Sequence, residues 1–143
     1  KMSWVKLVLV RGIPGSGKST IAKMISAGDG WIHYEADMYF VDKQGKYTWD
    51  ASKIGEAHAW CKSATEQALK LEHNVVVSNT FTTIKELRPY FELAKSLSIT
   101  PTVITANGSF NNVHNVPAET LCKMRNRFQH DISSLFAEFG MQH

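Results

Sequence analysis

A run near the start of the chain, Gly12-Ile13-Pro14-Gly15-Ser16-Gly17-Lys18-Ser19-Thr20, combines the tools needed to hold a polyphosphate. Glycines let the backbone wrap closely enough for its N–H groups to point inward at anionic oxygens. A helix starting near Gly17 adds the positive end of its dipole. Lys18 can reach the β- and γ-phosphates of a nucleoside triphosphate, and the Ser19 hydroxyl can ligate Mg²⁺. Pro14, Gly15, Ser16 and Thr20 complete the cradle. The bland alternative is a Gly-rich turn that binds nothing. The spacing Gly12-x₄-Gly17-Lys18-Ser19 is that of a P-loop, and the expected ligands are ATP and Mg²⁺.

Other residues could act on a triphosphate held there. Asp37 follows a strand candidate, which places it near the γ-phosphate, where a carboxylate could take a proton from an attacking hydroxyl or help hold the metal. Tyr39 and Phe40 could stack on a base of an acceptor, although an aromatic pair after a strand is more often core. Ser78-Asn79-Thr80 ends another strand candidate, where P-loop enzymes carry an acid; this chain has none, and Ser78 could order only a water-held Mg²⁺. Arg125 falls about 40° from Leu121 on a helical wheel, so it either passes the core or reaches the nucleotide. Arg127 lies on a different face, and for each arginine a surface ion pair competes with phosphate binding. His58 reads as a boundary residue of its helix, Asp50 as that helix's N-cap, and His114 as a loop residue.

The elements that must position these groups alternate. Lys6 to Val10 is a short apolar, β-branched run and reads as a buried strand. Gly17 to Ala27 reads as a helix stopped by Gly28-Asp29-Gly30. Trp31 to Ala36 is a second strand. Asp50 to Leu71 is a helix, with Ile54, Ala57, Cys61, Ala64, Ala68 and Leu71 in one stripe. Asn74 to Val77 has no polar interruption, as in a parallel sheet covered on both faces. Thr83 to Glu86 is a capping-box pattern opening a helix, in which Pro89 predicts a kink or restart. Thr102 to Thr105 is a fourth strand, and Ala106 to His114 an Asn-rich loop. The last helix is expected to run unbroken from Pro117 to about Phe139, burying Leu121, Met124, Phe128, Ile132, Leu135 and Phe139. Strands alternating with helices make right-handed βαβ units, so the expected fold is a three-layer α/β sandwich with a parallel sheet of four or five strands.

The chain has 143 residues, enough for one domain with a single core. Its net charge of +3 permits an anionic partner without demanding one, because the Lys and Arg are scattered. Cys61 and Cys122 form no metal-binding spacing and both read as buried thiols. Leu7-Val8-Leu9-Val10 is too short for a membrane span. The expected setting is therefore reducing and cytoplasmic. A GTPase would need a guanine-reading Asn-Lys-x-Asp, which is absent, and a motor ATPase would need a longer chain. A small phosphotransferase or a nucleotide-binding module remains.

Across Leu9 to Phe139 the chain resembles the polynucleotide kinase-like P-loop family. Arg11 to Thr20 is similar to that family's opening motif. Asp37-Met38-Tyr39-Phe40 resembles its Asp-x-Tyr-Phe segment, and Ala57-His58-Ala59-Trp60-Cys61 its Ala-His-x-x-Cys helix. Ser78-Asn79-Thr80 resembles an Asp-Asn-Thr-Asn strand end, and His114-Asn115-Val116-Pro117 the close of a lid. The resemblance implies Asp37 as general base and a lid over the phosphates at about 107–117. The chain departs from the pattern at Asn111, where the lid has arginine, and at Asn115, where it has glycine. Ser78 stands for the strand-end aspartate, Phe81 for the second asparagine, and Phe40 for an arginine common in active 5′-kinases. Two functions follow as expectations. The first is an ATP- and Mg²⁺-dependent kinase in which Lys18 clamps phosphates, Ser19 and Asp37 serve the metal and the proton, and Arg125 or Arg127 replaces the lid arginine. By the resemblance its acceptor is a hydroxyl of a nucleic acid or nucleotide; a modified base or small polyol is the alternative. The second is an ATP-binding module with little turnover that works through a partner.

Overall fold

The computed structural model describes residues 4–109 and 116–142. Four strands, β1 (Leu7–Arg11), β2 (Trp31–Tyr34), β3 (Asn74–Asn79) and β4 (Thr102–Thr105), form one sheet in the order β2-β3-β1-β4. Every pairing is parallel. The helices are α1 (Lys18–Ser26), α2 (Ile54–Lys70), α3 (Ile84–Ser96), α4 (Ala118–Arg127) and α5 (Ser133–Glu138), with 3₁₀ turns at Ala36–Phe40 and Ala51–Lys53. Among the described residues no helix is long and apolar enough to cross a membrane.

The side-chain period of two along each strand divides the core between the faces of the sheet. Leu7, Leu9, Val75 and Val77 bury against Ala57, Cys61 and Leu69 of α2, Leu87 and Phe91 of α3, and Leu135 and Phe136 of α5. Val8, Val10 and Val76 face the other way, against Ala22, Ile21 and Ile25 of α1. The central strands β1 and β3 are almost wholly buried, while β2 and β4 are half-covered edges. This is the three-layer α/β sandwich with a four-stranded parallel sheet that the alternation of elements implies. With all strands parallel, their carboxyl ends share one rim, where ligands of open α/β sheets gather.

Three helical expectations need correction. The segment from Pro117 to Phe139 is not one helix. Phe128 adopts extended backbone (φ −64°, ψ 119°), and the Gln129 N–H donates to the Thr82 carbonyl at 2.8 Å. The Asp131 carboxylate then accepts from the Ser133 N–H and Oγ–H, turning the chain into α5. A straight helix could not bring both Phe128 to Arg11 and Ile132, Leu135 and Phe136 into the core, so tertiary packing overrides the periodicity. As a result α4 buries no residue, and Cys122 is exposed while Cys61 is buried as expected. The helix through Pro89 neither stops nor restarts, running from Ile84 to Ser96. Its N-terminus also departs from a simple capping box. Glu86 reaches back to the Thr82 N–H and hydroxyl, while the Ile84 N–H donates to Gln129 Oε1 at 2.7 Å. The cap comes from a residue far along the chain. Asp50 is the cap that its sequence context implies, accepting from the Ser52 N–H.

Candidate phosphate-binding site

The loop between β1 and α1 is shaped by contacts that only its own residues allow. A Cβ at Gly12 would lie 2.3 Å from Ser16 Oγ and 2.9 Å from the Ala106 carbonyl, so the turn closes only over a glycine. Gly17, at φ 93°, is the N-cap of α1 and sits in the left-handed region that favours glycine. The Gly12 N–H donates to the Thr80 carbonyl, and the Gly108 N–H to the Ser16 carbonyl, tying the loop to the ends of β3 and β4. No side chain caps α1, and its first turn carries no acid. The amides of that turn and the dipole behind them are left for an anion. Ser16 Oγ is buried without a hydrogen-bond partner, a polar atom awaiting a ligand.

Burial pushes the Lys18 ammonium pKa below its ordinary value, partly offset by the nearby carboxylates of Glu35 and Asp37. Asp37 lies half-buried in the 3₁₀ turn after β2, where Tyr47 Oη approaches its Oδ1 at 3.4 Å. The turn is pinned by Asn79, whose Oδ1 accepts from the Ala36 N–H at 2.9 Å. Tyr39 and Phe40 belong to the packing: Phe40 is buried, and Tyr39 donates to Glu56 and packs on Trp60. Thr20 is exposed behind the loop.

Sequence reasoning missed Glu35. Its Oε2 accepts from Ser19 Oγ and from Ser78 Oγ, each at 2.6 Å, and lies 3.2 Å from His33 Nε2. His33 Nε2 is also 2.8 Å from Ser78 Oγ. Because Ser78 spends its hydrogen on Glu35, it accepts from His33, which places a proton on Nε2. Burial raises the Glu35 pKa, but the hydrogen bonds from His33, Ser19 and Ser78 outweigh it and hold the group at about 2. The P-loop serine is thus paired with Glu35, and not with Asp37. The only available signal was position: Glu35 directly follows β2 on the same rim as Ser78.

The structure separates the two candidate arginines. Arg125 lines a cavity of about 300 Å³ together with Ile13 and Ser16 of the loop, Asn107, Gly108, Phe128 and His130. Arg127 is not among its lining residues and points its Nε at Thr82 Oγ1, 3.4 Å away. Of the expected lid, Asn107 to Ser109 border this cavity; Asn111, His114 and Asn115 lie outside the described residues. A further arginine, Arg11, is fully buried. It donates from Nε and Nη2 to the Phe81 carbonyl and stacks its guanidinium 4.1 Å from the Phe128 ring centre. Burial pulls its pKa down to about 10. This clamp holds Phe81 at φ 44°, a conformation that an asparagine adopts more readily.

A parallel sheet with an uncapped helix behind a Gly-rich turn, a desolvated lysine and a serine–carboxylate pair defines a kinase-like P-loop domain. Comparison with known proteins agrees: the chain belongs to the AAA domain family, which matches residues 7–131. It is 34% identical over 100 residues to human NEDD4-binding protein 2, a match covering 66% of this chain but 6% of that protein. Among solved structures the fold is similar to a chain of the Pnkp1/Rnl/Hen1 complex (24% identity, TM-score 0.58, covering 85% of this chain and 39% of that one). It is also similar to a gluconokinase from Sinorhizobium meliloti 1021 (17% identity, TM-score 0.55, 89% and 77% covered). The Mycobacterium tuberculosis APS kinase CysC in complex with AMPPNP and APS is a third (15% identity, TM-score 0.56, 95% and 73% covered). At these identities the likeness establishes the fold.

Proposed function

We propose that this domain is an ATP- and Mg²⁺-dependent phosphotransferase acting on a hydroxyl of a nucleic acid or nucleotide. The observation that carries the reading is the placement of Lys18. It stands at the uncapped start of α1, partly desolvated, within the field of two carboxylates with separate surroundings, Glu35 and Asp37. A module that only bound nucleotide would have no need of the second carboxylate, half-exposed on the rim. The amides of the loop and Ser16 Oγ would bind the phosphate oxygens, and Lys18 would bridge the β- and γ-phosphates. Ser19 would be among the ligands of Mg²⁺, which would supply charge neutralisation on the triphosphate.

Asp37 accepts the proton of the acceptor hydroxyl as that oxygen bonds to the γ-phosphorus and the bond to the β-γ bridging oxygen breaks, releasing ADP. Arg125, which lines the same cavity as Ile13 and Ser16, would meet charge on the nucleotide; Arg127 would serve only if its contact with Thr82 is exchanged for the phosphates. The acceptor class rests on the family and on the aromatic side chains Tyr47 and Trp49, exposed on the segment that follows Asp37.

The second reading, an ATP-binding module working through a partner, is favoured by the sequence of the lid, where Asn111 replaces arginine. γ-Labelled ATP offered with 5′-OH oligonucleotides, nucleosides and base-modified DNA separates the two. Label entering an acceptor, and reduced about 10²- to 10⁴-fold in Asp37→Ala, is the expected result. Tight ATP binding with no transfer to any acceptor would establish the module instead.

A further inference from the structure

We propose that Glu35 is the carboxylate that steadies the divalent cation accompanying the bound triphosphate, supplied from β2 where β3 ends in the uncharged Ser78. This deepens the nucleotide reading and rests on it.

The register of the sheet makes the substitution possible. Tyr34 pairs with Val77, so Glu35 leaves β2 beside Ser78, and Ser78 in turn pairs with Val10, which leads into the phosphate loop. A carboxylate emerging from β2 therefore reaches the neighbourhood that an acid on β3 would occupy. The contacts show that it does: Ser78 and Ser19 donate to the same oxygen of Glu35. Ser19 is the loop's cation-ligating hydroxyl. With its hydrogen committed to Glu35, its lone pairs remain for a hard cation. A ligand hydrogen-bonded to a fixed carboxylate is oriented and made more basic, the part that second partners play around metal ligands.

The two oxygens of Glu35 differ. Oε2 receives Ser19, Ser78 and His33, whereas Oε1 has no hydrogen bond within the described residues. Among the described residues no lysine or arginine forms an ion pair with Glu35, and His33 is its one ion-pair partner. A partly buried anion held this firmly, with one oxygen left over, is poorly matched to a purely structural role. It is well matched to Mg²⁺, which takes one or two carboxylates and fills its remaining positions with water and phosphate oxygens. No three His, Cys, Asp or Glu side chains cluster as a metal cage among the described residues, so a cation here would share its ligands with the nucleotide. The unpartnered Ser16 Oγ in the same loop points independently to an absent anionic ligand.

Titration calorimetry of the whole chain with ATP, in excess Mg²⁺ and again in excess EDTA, tests this. In the wild type Mg²⁺ is expected to tighten ATP binding by about tenfold or more, a difference of about 1.4 kcal/mol or more. Glu35→Gln should reduce that enhancement to about twofold or less, and leave binding in EDTA unchanged or tighter because a negative charge has left the phosphates' vicinity. Moving the acid back to β3, in the double variant Glu35→Gln with Ser78→Asp, should restore the enhancement. An undiminished Mg²⁺ effect in Glu35→Gln would overturn the proposal. So would equal weakening with and without Mg²⁺, which marks a residue that only shapes the loop. If the wild type binds ATP in neither condition, the nucleotide reading itself fails, a result distinct from both.

Discussion

The phosphate loop and the C-terminal segment sit on the same rim of the sheet but are held there by different means. The loop lies between a wholly buried strand and a helix packed on the sheet, and its neighbours are tied to it by several independent bonds: Gly12 to Thr80, Gly108 to Ser16, and Ser19 through Glu35 to Ser78. The C-terminal segment begins with α4, which buries nothing, and rejoins the core only at Ile132. Between them a single guanidinium, that of Arg11, spans from the end of β1 to Phe81 and Phe128. One wall of the cavity beside the loop is therefore rigid. The other, carrying Arg125, is attached through the buried Arg11, through Gln129 and through the long Arg127 contact with Thr82.

Breaking the weaker side should have the largest effect on stability. Arg11→Ala removes two hydrogen bonds to a carbonyl in the left-handed region and leaves a cavity under Phe128. Urea unfolding should show a loss of about 3–4 kcal/mol. Hydrogen exchange should quicken first in α4, α5 and the turn at Phe81, while β1, β3 and α1 keep their protection. If the loop and α1 lose protection to the same extent, the two sides are one cooperative unit and the contrast drawn here is wrong.

A smaller effect should come from acid, on the rigid side. Glu35 is held at about 2 when folded, below the ordinary carboxylate value of 4.5. A depressed folded value stabilises fully above pH 4.5, and that contribution is lost as pH falls from 4.5 toward 2. It amounts to at most roughly 3 kcal/mol. Unfolding midpoints followed from pH 6 to pH 2 should therefore fall more steeply in the wild type than in Glu35→Gln. Parallel curves would mean that the serines and His33 do not hold the carboxylate as described.

What the sequence made legible divides along the same line. The loop could be read because its chemistry is local: glycines, Lys18 and Ser19 lie in one short run, and the strand before and helix after carry their own apolar periods. Four strands and the three-layer arrangement follow from similarly local patterns. Glu35 could not be read, because its significance depends on Ser78, 43 residues away, and on which strand lies beside which. On β3 itself the strand end carries only the uncharged Ser78 and Asn79. The break after α4 was hidden for the same reason. Leu121, Met124, Phe128, Ile132 and Leu135 keep a perfect helical period, and only the distant demands of Arg11 and Thr82 interrupt it.

The loop's central property is that it cradles a polyphosphate through its amides and Lys18. The most direct measurement is a calorimetric titration of ATP with Mg²⁺ into the wild type and Lys18→Ala, with melting curves recorded for both. The wild type should bind saturably, and Lys18→Ala about 30- to 100-fold more weakly, the loss of about 2–3 kcal/mol expected for a charged hydrogen-bonding partner. Its melting temperature without nucleotide should stay the same or rise, since a desolvated charge has been removed. No heat from ATP in the wild type, or equal affinity in the two proteins, would contradict it.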